Sequence, residues 1–448
     1  MRTIEALSDC TLLQIFYFYR QDAMTRSGGR PWKWHHLAHV CQKWRRIIFN
    51  SPRCLDLHIL CDNSTPIEIL QLWPTLPLAI SFKLTQESNA MPKVITAAFS
   101  DLDRIGQVEL YATSSMTGLL AEMIQKPCQA LESISVTVED ANGTFIPPHK
   151  AFLGGSAPRL KEIKLDGIFY PFPILRQVLS STNNLVELRI SKIPNAIPPG
   201  ELVTSLSSLN RLKSLSVGFC FPGSYSQPNV LLQPIILPSL ASLDFHGAGE
   251  YLEEFMRHID CPALSKITIR VFNQIFSESP PFCQFILRQN ALGSPTSVIV
   301  THSAELVSVS FILKENGSCV LGTSCTRLDW QLSFVTETLT QLSPLLSSVH
   351  SLTIQKADEL PSMEGMDSAQ WLELFRPFPH VTSVRVSEEQ FVPGIMQALV
   401  AENMTTPVLP ELISLHLEEY SGTPSVVEAA EYFVATRGLS GRTVFVSD

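Results

Sequence analysis

Leu131-Glu-Ser-Ile134-Ser-Val136 and Leu160-Lys-Glu-Ile163-Lys-Leu165 share one pattern, in which the first, fourth and sixth positions are apolar. The alternation at the end of the pattern is typical of a strand with one buried face. Its first positions along the chain are Ile105, Leu131, Leu160, Leu185, Leu212, Leu240, Leu264, Leu306, Val349, Val381 and Leu412. Eight of the ten intervals between copies are 24 to 32 residues long, a spacing typical of structural repeats.

Apolar residues between the copies follow helical spacing instead. Three such faces are Ile174, Leu175, Val178 and Leu179; Leu252, Phe255, Met256 and Ile259; and Ile395, Leu399 and Val400. A strand followed by a helix in each unit predicts parallel strands joined by crossover helices. Two longer intervals, of 42 and 43 residues, fall within 264–349, and we expect an irregular segment at about 270–345.

Proline precedes several of the predicted strands. It stands two residues before the first apolar position in five copies, at Pro158, Pro238, Pro262, Pro379 and Pro410. Because proline is tolerated as the first residue of a strand, we expect these prolines to open their strands.

This arrangement resembles the leucine-rich repeat over about residues 55–448. The resemblance implies a concave parallel sheet, helices on the convex side, and units that bury their apolar faces by stacking. The asparagine that follows the strand in standard leucine-rich repeats is missing here, since Leu165 is followed by Asp166-Gly167-Ile168. We therefore predict an α/β fold with a leucine-rich-repeat-like solenoid, and an ordinary α/β domain is the alternative.

The composition disfavours a membrane protein. Of the 448 residues, 45% are hydrophobic and 17% charged, and the mean hydropathy is +0.15. A spanning helix needs about 20 apolar residues, whereas the richest apolar run, 230–243, is interrupted by Gln233, Pro234 and Pro238. The ten cysteines include no C-x-x-C pair, which favours reduced thiols. We expect no membrane partner and a cytoplasmic or nuclear location.

Charge is distributed unevenly along the chain. The net charge of −9 argues against a nucleic-acid partner. Residues 20–53 nevertheless hold eight Lys and Arg residues against the single acid Asp22. This basic segment fits electrostatic steering towards an acidic partner, and a solvated basic loop is the alternative.

Residues 1–54 lack the repeat and predict helices. Asp9 is a candidate N-cap for a first helix with a stripe at Leu12, Ile15, Phe16 and Tyr19. A second helical pattern, at Leu37, Val40, Cys41, Trp44, Ile47 and Ile48, is expected to end before Pro52. Leu13 and Phe18 lie off the first stripe. So small a module cannot bury large residues on several faces, so we expect its surplus apolar surface to meet the repeat domain or another protein.

Leu7-Ser-Asp-Cys-Thr-Leu-Leu-Gln-Ile-Phe16 and Leu37-Ala-His-Val-Cys-Gln-Lys-Trp-Arg-Arg46 resemble the F-box motif, and the match continues to Leu55 as in many fungal F-box proteins. Ser8 replaces the usual proline, and the link at 20–36 is longer than in compact F-boxes. The resemblance implies docking onto a Skp-family adaptor and, through it, a cullin ligase core. It assigns the F-box fold and adaptor surface to Leu7, Leu12, Ile15, Phe16, Leu37, Val40, Cys41 and Trp44. A helical cap on the repeat domain is the alternative.

Sequence motifs for chemistry are missing. The chain has no P-loop and no HExxH, GxSxG or CxxC motif, so we expect no enzyme activity, no cofactor and no metal. His35, His36, His39 and Cys41 come nearest to a metal cluster, but they lie inside the F-box match.

Recognition would then fall to the solvent-facing residues of the strands. The candidate substrate face comprises Lys164, Arg189, Asp244, His246, Lys266, Arg270, Arg385, His416 and Glu418. The sequence thus predicts the substrate-recognition subunit of a Skp–cullin–F-box ubiquitin ligase, with an F-box at 1–54, a repeat domain at 55–448 and an unknown protein substrate. A repeat scaffold without a ubiquitin-ligase role is the main alternative, and an unrecognised α/β enzyme is a more distant one.

Overall fold

The computed structural model divides the chain into two compact units, Met1–Lys192 and Ile193–Asp448. The two units are described separately below. The structure describes residues 7–26, 34–73, 75–84, 93–113, 125–139, 144–145, 152–169, 172–193, 197–220, 233–272, 281–289, 292–303, 305–313, 317–325, 328–356, 368–387, 389–400, 408–418, 424–437 and 444–447.

The first unit begins with four helices: α1 (Asp9–Arg26), α2 (His35–Ala38), α3 (Gln42–Asn50) and α4 (Pro52–Leu55). Helix α1 begins after Ser8, whose Oγ accepts a hydrogen bond from the Thr11 N–H at 3.1 Å. Ser8 is therefore the N-cap, and the prediction that Asp9 caps this helix is wrong. Asp9 is the first helical residue, and its carboxylate pairs instead with Arg46 at 3.1 Å.

The second helical pattern is divided in the structure between α2 and α3, with Val40 and Cys41 between them. Cys41 is extended, with φ −159° and ψ 170°, and its Sγ accepts the Trp44 N–H at 3.5 Å. Cys41 is thus the N-cap of α3, which begins as a separate helix after α2. Helix α3 ends at Asn50, before Pro52 as predicted, and Pro52 then opens α4, where its missing N–H costs nothing.

All the strand pairs that the structure describes in the sheet of the first unit are parallel. Its order is β1 (Ile59–Cys61), β2 (Leu78–Leu84), β3 (Ile105–Ala112), β4 (Ser133–Val138), β6 (Glu162–Asp166) and β8 (Glu187–Ile193). A separate short parallel pair joins β5 (Thr144–Phe145) to β7 (Ile168–Phe169). The connections include helices α5 (Ile69–Leu72), α6 (Lys93–Ala98) and α7 (Phe172–Ser181), and 3₁₀ turns at Leu102–Arg104 and Phe152–Gly155.

The sheet of the second unit is larger and mixed. Its order is β9 (Ser214–Phe219), β11 (Ser242–Gly247), β13 (Lys266–Phe272), β16 (Ser318–Ser324), β15 (Leu306–Leu313), β14 (Pro295–His302), β17 (Ser351–Lys356), β18 (Ser383–Val386), β19 (Ser414–Glu418) and β20 (Val444–Ser447). A short parallel pair joins β10 (Ile235–Ile236) to β12 (Ile259–Asp260). Its helices are α8 (Pro199–Leu206), α9 (Gly249–Arg257), α10 (Pro281–Leu287), α11 (Leu328–Gln341), α12 (Ser343–Leu346), α13 (Ser368–Phe375), α14 (Val392–Val400) and α15 (Pro424–Arg437), with a 3₁₀ turn at Glu389–Phe391. The prediction of an α/β fold built on a large, mostly parallel open sheet is confirmed.

The same hydrogen-bond pattern recurs between successive strands: one carbonyl before a strand accepts two consecutive backbone amides at the start of the next strand. The Lys161 carbonyl, for example, accepts the amides of Val186 at 2.7 Å and Glu187 at 3.0 Å, and the Ala241 carbonyl accepts those of Ser265 and Lys266. The first, fourth and sixth pattern positions are buried throughout, except for Leu306, which is half-buried. Equivalent positions of successive copies therefore lie beside one another in the sheet.

The prolines before the strands lie in turns. The Leu160 N–H donates to the Ala157 carbonyl at 3.1 Å and the Leu264 N–H donates to the Cys261 carbonyl at 3.1 Å, each closing a four-residue turn. Pro158 and Pro262 are the second residues of these turns, a position that the fixed φ of proline favours. The prediction that proline opens the strand is therefore wrong, because proline shapes the turn that precedes it.

Strands β14, β15 and β16 form an antiparallel meander inside the otherwise parallel sheet. Strand β15 is antiparallel to both neighbours, whereas β16 is parallel to β13 and β14 is parallel to β17. The copy at Leu306, which lies in β15, is thus an exception to the predicted parallel arrangement. Within the described residues, no helix has both the length and the apolar content that crossing a membrane requires.

Candidate functional site

The N-terminal helices α1 to α4 are held together by a small apolar core. Leu12 and Phe16 of α1 are buried with Ile47 and Ile48 of α3, and the Phe16 ring meets the Trp44 ring edge-on at 4.8 Å between centroids. Leu12 and Phe16 therefore serve the fold of this segment.

A second set of apolar side chains, on α1 and in the turn between α2 and α3, faces outward. Val40 is 58% exposed and Phe18 is 69% exposed, and Ile15, Tyr17 and Tyr19 also have exposed side chains. The predicted stripe is thus split, since Leu12 and Phe16 point into the core whereas Ile15 and Tyr19 point out. Among the other residues of the F-box match, Leu7, Leu37, Cys41 and Trp44 are half-buried.

An apolar groove of about 470 Å³ lies beside the exposed face of α1. It is lined by Leu13, Gln14, Tyr17, Phe18, Cys54 and Leu55. Such a groove flanked by exposed aromatic rings is typical of a surface that receives apolar side chains from another protein. We use the name helical apolar surface for the exposed apolar side chains of this segment as a set, namely the groove residues together with Ile15, Tyr19 and Val40. At about 100° per residue, Ile15 and Tyr19 lie on a different side of α1 from the groove residues.

The basic residues of this segment are used within it. Arg20 Nη2 pairs with Asp56 at 3.2 Å, Lys43 Nζ donates to the Leu7 carbonyl at 2.7 Å, and Arg45 Nε donates to the Ala38 carbonyl at 3.0 Å. These charges tie the helices to one another, so a purely solvated basic loop does not describe them. Arg30 and Lys33 lie outside the described residues, as do the side chains of Arg26 and Arg53.

Trp34 is a structural residue that the motif did not point to. Its indole is 3% exposed, its N–H donates to the His58 carbonyl at 2.8 Å, and its ring packs edge-on against Trp73 at 5.1 Å. Trp34 thereby fixes the helices to the chain that leads into β1. The available signal was the presence of Trp32 and Trp34 in a link that is mostly polar.

On the first unit, Lys164 and Arg189 are register partners on β6 and β8. Lys164 pairs with Glu162 and, at 3.2 Å, with Glu187. Partial burial disfavours the charged form of Lys164, but the two carboxylates outweigh this effect and raise its pKa above the ordinary value. The Lys164 charge is therefore neutralised locally.

On the second unit, four of the predicted residues form one cluster on β11 and β13. Asp244 accepts a hydrogen bond from Ser216 Oγ at 3.0 Å, and His246 is the register partner of Arg270. Burial, and then the neighbouring charge of Arg270, lower the pKa of His246. Lys266 and Arg270 are exposed on β13.

The remaining three predicted residues form a second cluster on β18 and β19. Arg385 and His416 are register partners, and Arg385 pairs with Glu418 at 3.0 Å. Ser387 Oγ donates to the other Glu418 oxygen at 3.0 Å. Strands β16, β15, β14 and β17 lie between this cluster and the one on β11 and β13.

A polar cavity of about 700 Å³ lies on the first unit, on the side of the sheet formed by Ser81, Lys83, Glu109 and Tyr111. Glu109 accepts hydrogen bonds from Ser81 Oγ at 3.0 Å and from the Tyr111 hydroxyl at 2.8 Å, and Lys83 pairs with Glu139 at 2.8 Å. The carboxylates of Glu109 and Glu139 thus already have hydrogen-bond or ion-pair partners. This arrangement suits polar contacts with a ligand better than proton transfer to it.

The thiols of the protein show little nucleophilic character where they are buried. Burial raises the pKa of Cys61 and Cys128 to about 11 and that of Cys261 to about 12. These groups stay protonated at neutral pH, whereas a nucleophilic thiol must ionise. None of the ten cysteines forms a disulfide bond, and the described residues include no group of three His, Cys, Asp or Glu side chains placed to hold a metal ion.

No protein-family model matches this chain. No curated protein matches it either.

Proposed function

We propose that this chain is the substrate-recognition subunit of a Skp–cullin–F-box ubiquitin ligase. In this proposal the N-terminal helices are an F-box that docks a Skp-family adaptor, and the strands beyond residue 55 belong to a leucine-rich-repeat-like solenoid that binds a substrate protein. The observation that carries the proposal is the coincidence of the F-box-like motif with the helical apolar surface. Val40 is both a matched position and 58% exposed.

The repeated hydrogen-bond links support the second half of the proposal. Apart from the half-buried Leu306, the pattern residues of the copies are buried, and polar side chains lie on the opposite face of the strands. A stack of such units offers a long surface on which a substrate contacts several strands at once.

The proposed mechanism is positional. The adaptor and cullin core carry the conjugating chemistry, and this chain holds the substrate close to it. Tethering raises the effective concentration of substrate lysines at the reactive thioester to about millimolar levels when the geometry is suitable. No catalytic residue of this chain is required.

The experiment is a pull-down of full-length chain with a purified Skp-family adaptor bound to a cullin. Leu12 is buried, so changing it would test folding, whereas Phe18→Asp with Val40→Asp alters only exposed side chains. We expect the wild type to retain adaptor and cullin and the double variant to lose at least about tenfold in affinity, roughly 1.4 kcal/mol. Tyr432→Asp, which changes an exposed aromatic residue on α15, is the matched control.

If the wild-type chain retains neither adaptor nor cullin, the proposal is wrong. The main alternative, a repeat scaffold with no ubiquitin-ligase role, shares the polar strand face but needs no adaptor. Retention of other proteins through the strand face, with no adaptor bound, would favour that scaffold.

A further inference from the structure

The meander changes the chemistry of the polar face of the sheet in the second unit. One row of register partners on this face runs through Ser216, Asp244, Thr268, Val320, Ser310, Ile299, Thr353, Arg385 and His416. The strands outside the meander supply polar or charged side chains to this row. The meander supplies Val320 and Ile299, one on either side of Ser310.

A third apolar side chain completes the patch. Ile312 lies two residues beyond Ser310 on β15, on the same face, and is 45% exposed. Neighbouring strands are about 5 Å apart, so Val320, Ile299 and Ile312 lie within about 10 Å of one another. We name these three residues the meander patch.

Two cations border the meander patch. Lys266 and Arg270 lie on β13, beside Ser318 and Gly322 of β16. Neither makes an ion pair within the part of the chain that the structure describes, and both are exposed. Gly322 brings no side chain between Arg270 and the meander, and a Cβ there would lie 2.8 Å from the Val307 carbonyl oxygen.

Several other cations on strands are paired, although Arg189 on β8 is not paired with any residue that the structure describes. Lys164 pairs with Glu187 at 3.2 Å, Lys192 with Asp166 at 3.4 Å, and Arg385 with Glu418 at 3.0 Å. Asp244, on the neighbouring strand β11, accepts a hydrogen bond from Ser216 and makes no direct ion pair with Lys266 or Arg270. His246 is half-buried, and its Nε2 has no hydrogen-bond partner in the described structure. Lys266 and Arg270 therefore carry positive charge beside an apolar patch without a direct ion pair among the described residues.

We propose that the meander patch with Lys266 and Arg270 binds a segment of the substrate protein in which apolar side chains stand next to aspartate or glutamate. The apolar side chains of the segment cover Val320, Ile299 and Ile312, and its carboxylates pair with the two cations. This inference rests on the proposed function, because it names the class of substrate segment that the repeat domain holds.

The test is a selection of random peptides displayed on phage against the immobilised full-length chain. We expect the selected peptides to be enriched in Asp or Glu adjacent to Leu, Ile or Phe. The best peptide, labelled with fluorescein, is then titrated by anisotropy at low and high salt. Raising the salt should weaken binding, because exposed charge pairs are screened.

Two variants separate the parts of the surface. Lys266→Glu with Arg270→Glu should weaken peptide binding at least tenfold, and Ile312→Ser should weaken it about threefold. The control, Lys93→Glu with Arg288→Glu, changes the same charge at exposed positions on α6 of the first unit and just after α10, outside the strand face, and should leave binding unchanged.

No compositional enrichment, or equal losses in the control and the β13 variant, would overturn the inference. A concentration-dependent dimer that Ile312→Ser dissociates would overturn it too, because the occupant would then be a second copy. The adaptor pull-down is an independent readout. If the adaptor binds and peptides are not discriminated, only the meander patch assignment fails; if peptides are discriminated but no adaptor binds, only the ligase function fails.

Discussion

The N-terminal helices and the polar face of the second unit use charged and apolar side chains in opposite ways. In the helices, Arg20, Lys43 and Arg45 satisfy acceptors within the segment, and large apolar side chains such as Phe18 face solvent. On the strand face, apolar residues are mostly buried, and Lys266 and Arg270 stay unpaired among the described residues.

This difference separates two modes of recognition. A surface of exposed apolar groups gains affinity by removing area from water, which depends little on ionic strength. A surface with free cations gains rate and specificity from charge, which salt screens. Under the two proposals, the adaptor would be a permanent partner of the helices and the substrate segment a partner that the strand face binds and releases.

The largest expected effect concerns the residue that fixes the helices in place. Trp34→Ala removes a buried indole and its hydrogen bond to the His58 carbonyl, so the first unit should lose about 3–5 kcal/mol of stability. Phe18→Ala, at an exposed position of the same segment, should change stability by less than about 0.5 kcal/mol. Urea unfolding followed by tryptophan fluorescence and circular dichroism measures both.

If Phe18→Ala destabilised the protein as much as Trp34→Ala, the helical apolar surface would be part of the core. Buried aromatic residues such as Trp34 could then no longer be distinguished, as structural residues, from exposed ones such as Phe18 that are proposed to dock a partner.

The next effect is a pH dependence in the second unit. His302 is buried on β14, and burial lowers its pKa to about 4. In the unfolded chain its pKa is about 6.5, so between these values the unfolded state binds more protons. Above about pH 6.5, His302 is neutral in both states and does not lower the free energy of unfolding. That free energy should fall by roughly 3 kcal/mol as the pH drops from about 6.5 to about 4.

The urea midpoint of the wild type, measured between pH 4 and 7, should decline in this window, and His302→Leu should flatten the decline. An unchanged pH dependence in the His302→Leu protein would mean that other groups govern the acid response. Comparing the signals of the helices and of the sheet shows which region opens first.

The sequence predicted the strand positions well and the helix orientations less well. Leu160, Ile163 and Leu165 are buried as predicted, because alternation along a strand is set by local backbone geometry. Ile15 and Tyr19 point outward although helical spacing groups them with Leu12, because α3 and α4 cover only one narrow side of α1. How much of α1 is covered depends on residues that are distant from it in the sequence, so the spacing within α1 cannot reveal it.

The direction of β15 could not be predicted either. Its Val309 and Phe311 are buried as in every other copy, and alternation is the same for parallel and antiparallel strands. Strand direction depends on the connections, and only the long intervals around Leu306 indicated that these were unusual. The apolar residues of the meander patch were missed for the same reason, since their face depends on that pairing.

A smaller effect tests the cap of the exposed helix. Ser8→Ala removes the acceptor of the Thr11 N–H, and loss of an N-cap costs about 1 kcal/mol. Ser8→Asn keeps an acceptor and should cost much less. Both are measured by urea unfolding, and equal losses for the two variants would show that the cap does not explain the stability of α1.

The smallest effect examines the charges that the helices use internally. Asp9 accepts Arg46 at 3.1 Å and lies 3.7 Å from Lys43, and these side chains are partly exposed. Exposed ion pairs contribute about 0.2–1 kcal/mol, so Asp9→Asn should lower stability by no more than that, and less in high salt. The same change frees positive charge beside the helical apolar surface. If adaptor binding depends on apolar contact, the affinity of Asp9→Asn for the adaptor should stay within about twofold of wild type. A strong, salt-dependent gain in affinity would show instead that both surfaces recognise partners through charge. The contrast between the two surfaces would then be lost.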